Sequence, residues 1–162
     1  MGELEPAVGL VIRHAYLWWN EARVGRQEGV KDRPCVIVHR RQNEYNETEV
    51  FICPITHTSP ESRERVMAIP QATKKRLHLD AQSSWIITTE LNRFIWPGPD
   101  IRSVPGGGIA YGVLPAAMTH ELVRQIKENA RDQALLVVGR NDPALTKLVR
   151  RQRRLRKPKG RR

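Results

Sequence analysis

The chain holds only two cysteines, Cys35 and Cys53, and each lies inside an apolar run short enough to be a buried strand. Two such thiols read as inert core residues rather than a disulfide scaffold or a metal centre. The sequence has no apolar run approaching the roughly 18 residues a membrane-spanning helix needs. Its N-terminus, Met1-Gly2-Glu3-Leu4-Glu5-Pro6, is acidic and has no apolar stretch, which predicts no secretory leader and a cytoplasmic location. There is no internal repeat. Gly106-Gly107-Gly108 lacks the strand–loop–helix context of a phosphate cradle and reads as loop.

Acid is scarce in one place. Residues 140–162 contain eleven Lys/Arg and a single acid, Asp142, whereas the other 139 residues carry 17 bases and 16 acids. The net charge of +11 therefore describes the C-terminal end and not the body. Arg150, Arg151, Arg153 and Arg154 in that end are candidate contacts to nucleic-acid phosphates, and a solvated basic end is the plainer alternative. At 162 residues the chain predicts one domain over 1–139 with a basic tail over 140–162, helical after Asp142-Pro143 and then disordered.

Strand patterns dominate the body. Gly9–Trp18, Arg33–His39, Thr48–Ile55, Arg65–Ile69, Ser84–Thr89 and Ile109–Leu114 read as strands, with turns at Asn43–Asn46 and Thr58–Ser62. Residues 19–32 read as a polar loop, and 97–108, with three prolines and four glycines, as irregular. Helix is expected only from Pro115, where Met118, Leu122, Val123, Ile126 and Ala130 recur at helical spacing. Short strands followed by helix predict a mainly β fold, a small curved barrel with a helix packed on it.

Two phrases carry chemistry, Asp32-Arg33-Pro34-Cys35-Val36-Ile37-Val38 and Phe51-Ile52-Cys53-Pro54-Ile55-Thr56-His57. If the two strands pair antiparallel, Arg33, Thr56 and His57 share one rim of the sheet. A guanidinium beside a hydroxyl suits a phosphate, because its planar fork matches two phosphate oxygens. The plainer readings are an Arg33 paired with Asp32 or Glu28, and a Thr56 that closes a backbone turn. Alternation turns His57 away from Thr56 if strand geometry continues past it. His14 reads as a packed, satisfied histidine and Trp85 as core. Of Trp18 and Trp19, one is expected to be exposed.

With Gly9–Trp18, Arg33-Pro34, Pro54-Ile55-Thr56 and the late helix in this order, the chain over residues 9–135 resembles the MazF/PemK toxins of bacterial type II toxin–antitoxin systems. The resemblance implies an SH3-like barrel, a homodimer, cleavage of single-stranded RNA without a metal or other cofactor, and a cognate antitoxin that covers the groove. The arginine of Arg-Pro and the hydroxyl residue after Pro-Ile are that family's functional pair, which map onto Arg33 and Thr56. Arg26 stands where some members carry a loop histidine, and Glu90 is nearest to an acidic residue that others carry on a later strand. Lys31 and Thr58 flank the pair as further RNA contacts. Such cleavage needs a base for the 2′-hydroxyl, and His57 and Glu28 are the candidates. The rival expectations are an RNA- or DNA-binding SH3-like module that cuts nothing, and a module that binds an antitoxin-like peptide.

Overall fold

The two apolar runs form the centre of the molecule because both of their faces are buried. In the computed structural model, which describes residues 4–26, 29 and 31–140, they are β2 (Arg33–Gln42) and β3 (Thr48–Thr56), paired antiparallel across the Asn43–Glu47 turn. Cys35 and Ile37 belong to one apolar cluster and Val36 and Val38 to another, and Val50 and Ile52 alternate likewise with Phe51 and Cys53. A pleated strand sends successive side chains to opposite faces, so uninterrupted apolar sequence is what a sheet covered on both sides requires. Both cysteines are free and buried, as expected. Asn43 closes the turn by accepting the N–H groups of Tyr45 and Glu47 on Oδ1.

β1 (Leu10–His14) pairs with β2 on one edge and with β7 (Ile101–Arg102) and β8 (Ala110–Val113) on the other. The far edge of β3 is shared. β6 (Glu90–Ile95) pairs with Glu49–Ile52 and β5 (Trp85–Ile87) with Ile55 and Thr56. β4 (Val66–Ala68) flanks β5, and β9 (Leu136–Gly139) runs parallel to β6. The fold is thus mainly antiparallel β, and among the described residues the pairing path from β4 to β7 does not close into a ring. None of the helices α1 (Trp19–Arg23), α2 (Gln71–Arg76) and α3 (Ala116–Arg131) is long and apolar enough to cross a membrane. Pro115 immediately precedes α3, whose Leu122 and Ile126 are buried against the sheet with Met118 beside them.

Several boundaries differ from the sequence expectation. β1 stops at His14, four residues short, because Ala15–Trp18 leave the ladder. The Ala15 N–H donates to the Asp100 carbonyl, and the Asn92 side chain brackets Leu17, accepting its N–H at 2.9 Å and donating to its carbonyl at 2.7 Å. Helix is not confined to the C-terminal side, since α1 opens the expected loop and α2 precedes β5. β7 interrupts the expected irregular stretch, and β6 and β9 are additional strands. Arg140, counted with the tail by charge, is buried in the body, where its guanidinium donates to the Ala15 carbonyl and faces Asp100 at 3.2 Å. The expected tail helix and its four candidate arginines lie outside the described residues.

His14 departs from expectation in a way that has a consequence. It is fully buried and stacked on Phe94 at 4.6 Å, yet among the described residues neither ring nitrogen has a hydrogen-bond partner. Burial first, then the charges of Arg140 and Arg102, hold its pKa down at about 3. Below the ordinary value of 6.5 the unfolded chain takes up a proton that the folded chain refuses. Stability therefore falls as pH drops from 6.5 towards 3. By pH 4.5 this one group removes about 2–3 kcal/mol. His14→Leu should flatten the dependence by that amount, measured as the wild-type-minus-variant difference in urea unfolding at pH 7.5 and 4.5. A difference that does not change with pH would refute the assignment.

Candidate active site

From Ile37 towards the start of β2 the register against β3 is regular, with Ile37 opposite Ile52, Val36 opposite Cys53 and Cys35 opposite Pro54. Continued two residues, it sets Arg33 opposite Thr56. Both side chains line one groove of about 890 Å3, together with His57, Trp18, Asp80 and Lys74. Cross-strand partners face the same side of a sheet, so the shared rim follows from pairing alone. His57 joins them because β3 ends at Thr56. The Thr56 hydroxyl oxygen accepts the N–H of Thr58 at 3.1 Å, and this turn breaks the alternation that would have sent His57 to the opposite face. Thr56 therefore does close a backbone turn, and its own O–H remains available to donate.

Arg33 does not take the ion pair that its sequence neighbour offers. Asp32 lies 3.8 Å from Arg13 and 3.7 Å from Arg102, while the Arg33 guanidinium sits over the Trp18 ring, 4.9 Å from its centroid. Among the described residues no carboxylate lies within ion-pair distance of Arg33, and its Nε is buried without an acceptor. A charged donor left unsatisfied at the rim of a groove favours an anionic ligand.

The same groove holds a polar network that sequence reading missed. His57 Nε2 is 2.8 Å from Asp80 Oδ2, and Lys74 Nζ is 2.9 Å from Asp80 Oδ1. The Lys74 ammonium is buried and also donates to the Gln82 carbonyl and to Ser84 Oγ. Burial pushes the Asp80 carboxyl up, but hydrogen bonds from Lys74 and the Gln82 N–H, with the charges of His57 and Lys74, outweigh it and hold the group below its ordinary range. Asp80 is thus a carboxylate shared between a buried cation and the groove histidine. In the sequence, Lys74-Lys75-Arg76 looks like a solvated run. The missed signal was helical spacing, since Thr73, Lys74 and Leu77 are the inward residues around α2.

The remaining candidates divide. Lys31 and Thr58 line the groove. Arg26 is exposed, outside the groove, and paired with Glu21 at 3.0 Å. Glu90 is also outside it: its Oε1 accepts the Tyr16 hydroxyl at 3.0 Å and the Trp19 N–H at 3.1 Å, at the start of α1. Burial pushes the Glu90 carboxyl up despite these bonds. Glu28 lies outside the described residues. Trp18 lines the groove, Trp19 is the exposed member of the pair, and Trp85 is half-buried in β5 rather than core. No family model matches the chain, and neither does any curated protein.

Lys74→Met would leave the Asp80 carboxylate, the Gln82 carbonyl and Ser84 without their shared donor. It should cost about 2–4 kcal/mol, less than a fully buried pair because Asp80 is half exposed. Urea unfolding at pH 7 measures this, and a loss below about 1 kcal/mol would show that the amine is not the anchor of this wall.

Proposed function

We propose that this protein is a metal-independent endoribonuclease acting on single-stranded RNA, of the MazF/PemK kind. In this reading the open, curved sheet is an SH3-like barrel. The protein works in the cytoplasm as a homodimer, restrained by an antitoxin whose chain fills the groove. One observation carries the proposal: Arg33 and Thr56, from separate segments, line the same groove. In the reaction the 2′-oxygen attacks the adjacent phosphorus, the bond from phosphorus to the 5′ oxygen breaks, and a 2′,3′-cyclic phosphate and a 5′-hydroxyl result. Arg33 binds the two non-bridging oxygens, where charge accumulates, and Thr56 donates to one of them. Trp18 lines the same groove and backs the Arg33 guanidinium with its ring.

The rival, a binding module without chemistry, draws support from Glu90, whose carboxylate is committed to Tyr16 and the start of α1. Incubation with a long single-stranded RNA in excess EDTA separates the two. The intact chain should give discrete cuts with the ends named above. Arg33→Ala should lose at least about a hundredfold in rate and Thr56→Ala about tenfold. Equal cleavage by all three proteins would refute the nuclease, and binding without cuts would favour the rival.

The basic tail adds a sequence-independent term. Truncation after Arg140, which keeps that buried guanidinium in place, should weaken RNA binding and flatten its dependence on salt. An unchanged slope of log affinity against log salt would remove the tail from RNA binding.

A further inference from the structure

The His57–Asp80–Lys74 network in the groove has the components of a proton-transfer site, and the nuclease reading leaves one proton unassigned. We propose that His57 is the base that takes the 2′-hydroxyl proton, and that Asp80, anchored by buried Lys74, is the positioning residue that fixes its tautomer. The inference rests on the nuclease reading of the groove and adds the identity of its base.

The geometry carries it in three steps. Asp80 faces Nε2 of His57 at 2.8 Å, so a neutral imidazole places its N–H there and leaves a lone pair on Nδ1. Nδ1 has no partner among the described residues, and His57 lines the groove with Arg33 and Thr56. Asp80 in turn cannot drift. Its other oxygen accepts Lys74 Nζ at 2.9 Å and the Gln82 N–H at 3.1 Å. Lys74 is only 1 % exposed, which makes it a rigid peg rather than a surface lysine. A carboxylate held on one side by a buried cation is a fixed acceptor on the other.

The step balances. The 2′-hydroxyl proton passes to Nδ1 as the 2′-oxygen bonds to phosphorus. The bond from phosphorus to the 5′ oxygen breaks, and that oxygen takes a proton from water. The imidazolium that forms is steadied by Asp80 through Nε2–H, and it returns its proton to water before the next turnover.

Asp80→Asn is the informative substitution, because an amide keeps one acceptor and replaces the other with a donor. Lys74 and the Gln82 N–H need the acceptor, so the amide N–H2 turns to His57 and favours the tautomer with hydrogen on Nδ1. Nitrogen-15 NMR of the histidine rings in the wild-type chain should show His57 with hydrogen on Nε2, and the variant should show it on Nδ1. With a synthetic single-stranded RNA, Asp80→Asn should lower kcat about a hundredfold or more while KM stays within about threefold. His57→Ala should lose at least about a hundredfold and recover part of it in added imidazole. Hydrogen on Nδ1 in the wild-type chain, or Asp80→Asn cleaving at the wild-type rate, overturns the proposal. The wild-type tautomer is read from the intact chain, so a variant that fails to fold does not shield the idea. Arg33-dependent cuts that survive His57→Ala overturn this assignment alone, whereas no cleavage by the intact chain overturns the nuclease reading with it.

Discussion

The register of β2 against β3 is the constraint on which the groove depends. A slip of one residue would turn Arg33 to the other face of the sheet and separate it from Thr56. What forbids the slip is apolar packing on both faces, since Cys35, Ile37, Val50 and Ile52 would have to exchange places with Val36, Val38, Phe51 and Cys53. The register does shift, between Ile37 and His39, but that irregularity lies beyond Ile37 and leaves the end carrying Arg33 in phase. Residues with no chemistry of their own thus fix the distance between two that have it.

β3 also decides where the groove begins. Its outer edge is covered by β6 up to Ile52 and by β5 from Ile55, and Pro54 sits at the handover. Proline has no N–H to give a second ladder, so the edge partner changes there without leaving a buried donor unpaired. β5 then carries the strand's last two residues to the rim, and the turn at Thr56 swings His57 in beside it. A backbone economy at Pro54 and a side-chain turn at Thr56 together put a hydroxyl and an imidazole on one surface.

The central hairpin, the turn at Asn43, the late helix and the meeting of Arg33 with Thr56 were legible because each is local or follows from strand alternation. The missed parts depend on long-range partners. β6 conceals itself with Asn92, a polar residue fully buried only because Leu17 and Arg140 engage it. β9 has four residues and, among the described residues, pairs with β6 alone. α1 is one turn long and starts where Glu90, seventy-one residues later, receives the Trp19 N–H. Asp80 is invisible for the same reason, since its importance comes from Lys74 and His57, and only the fold sets those beside it. The sequence pattern anticipated the cation and hydroxyl of the groove but not what orients its histidine.

Arg33 owes its availability to competition among arginines. Asp32 is its neighbour in the chain, yet Arg13 on β1 and Arg102 on β7, the next two strands across the sheet, approach that carboxylate. With two cations already near it, Asp32 has little left to offer a third. Arg33 is left with the face of Trp18, an attraction of about 1–2 kcal/mol when partly desolvated. A phosphate presenting two oxygens to the guanidinium fork makes two charge-assisted hydrogen bonds, each worth about as much as the ring contact or more. In the proposed nuclease reading that balance is what would hold a phosphodiester, with Trp18 keeping its stacking contact while the fork turns outward. An Arg33 neutralised by Asp32 would have had to give up an ion pair first, which is the energetic reason the pairing of Asp32 with Arg13 and Arg102 matters to the groove.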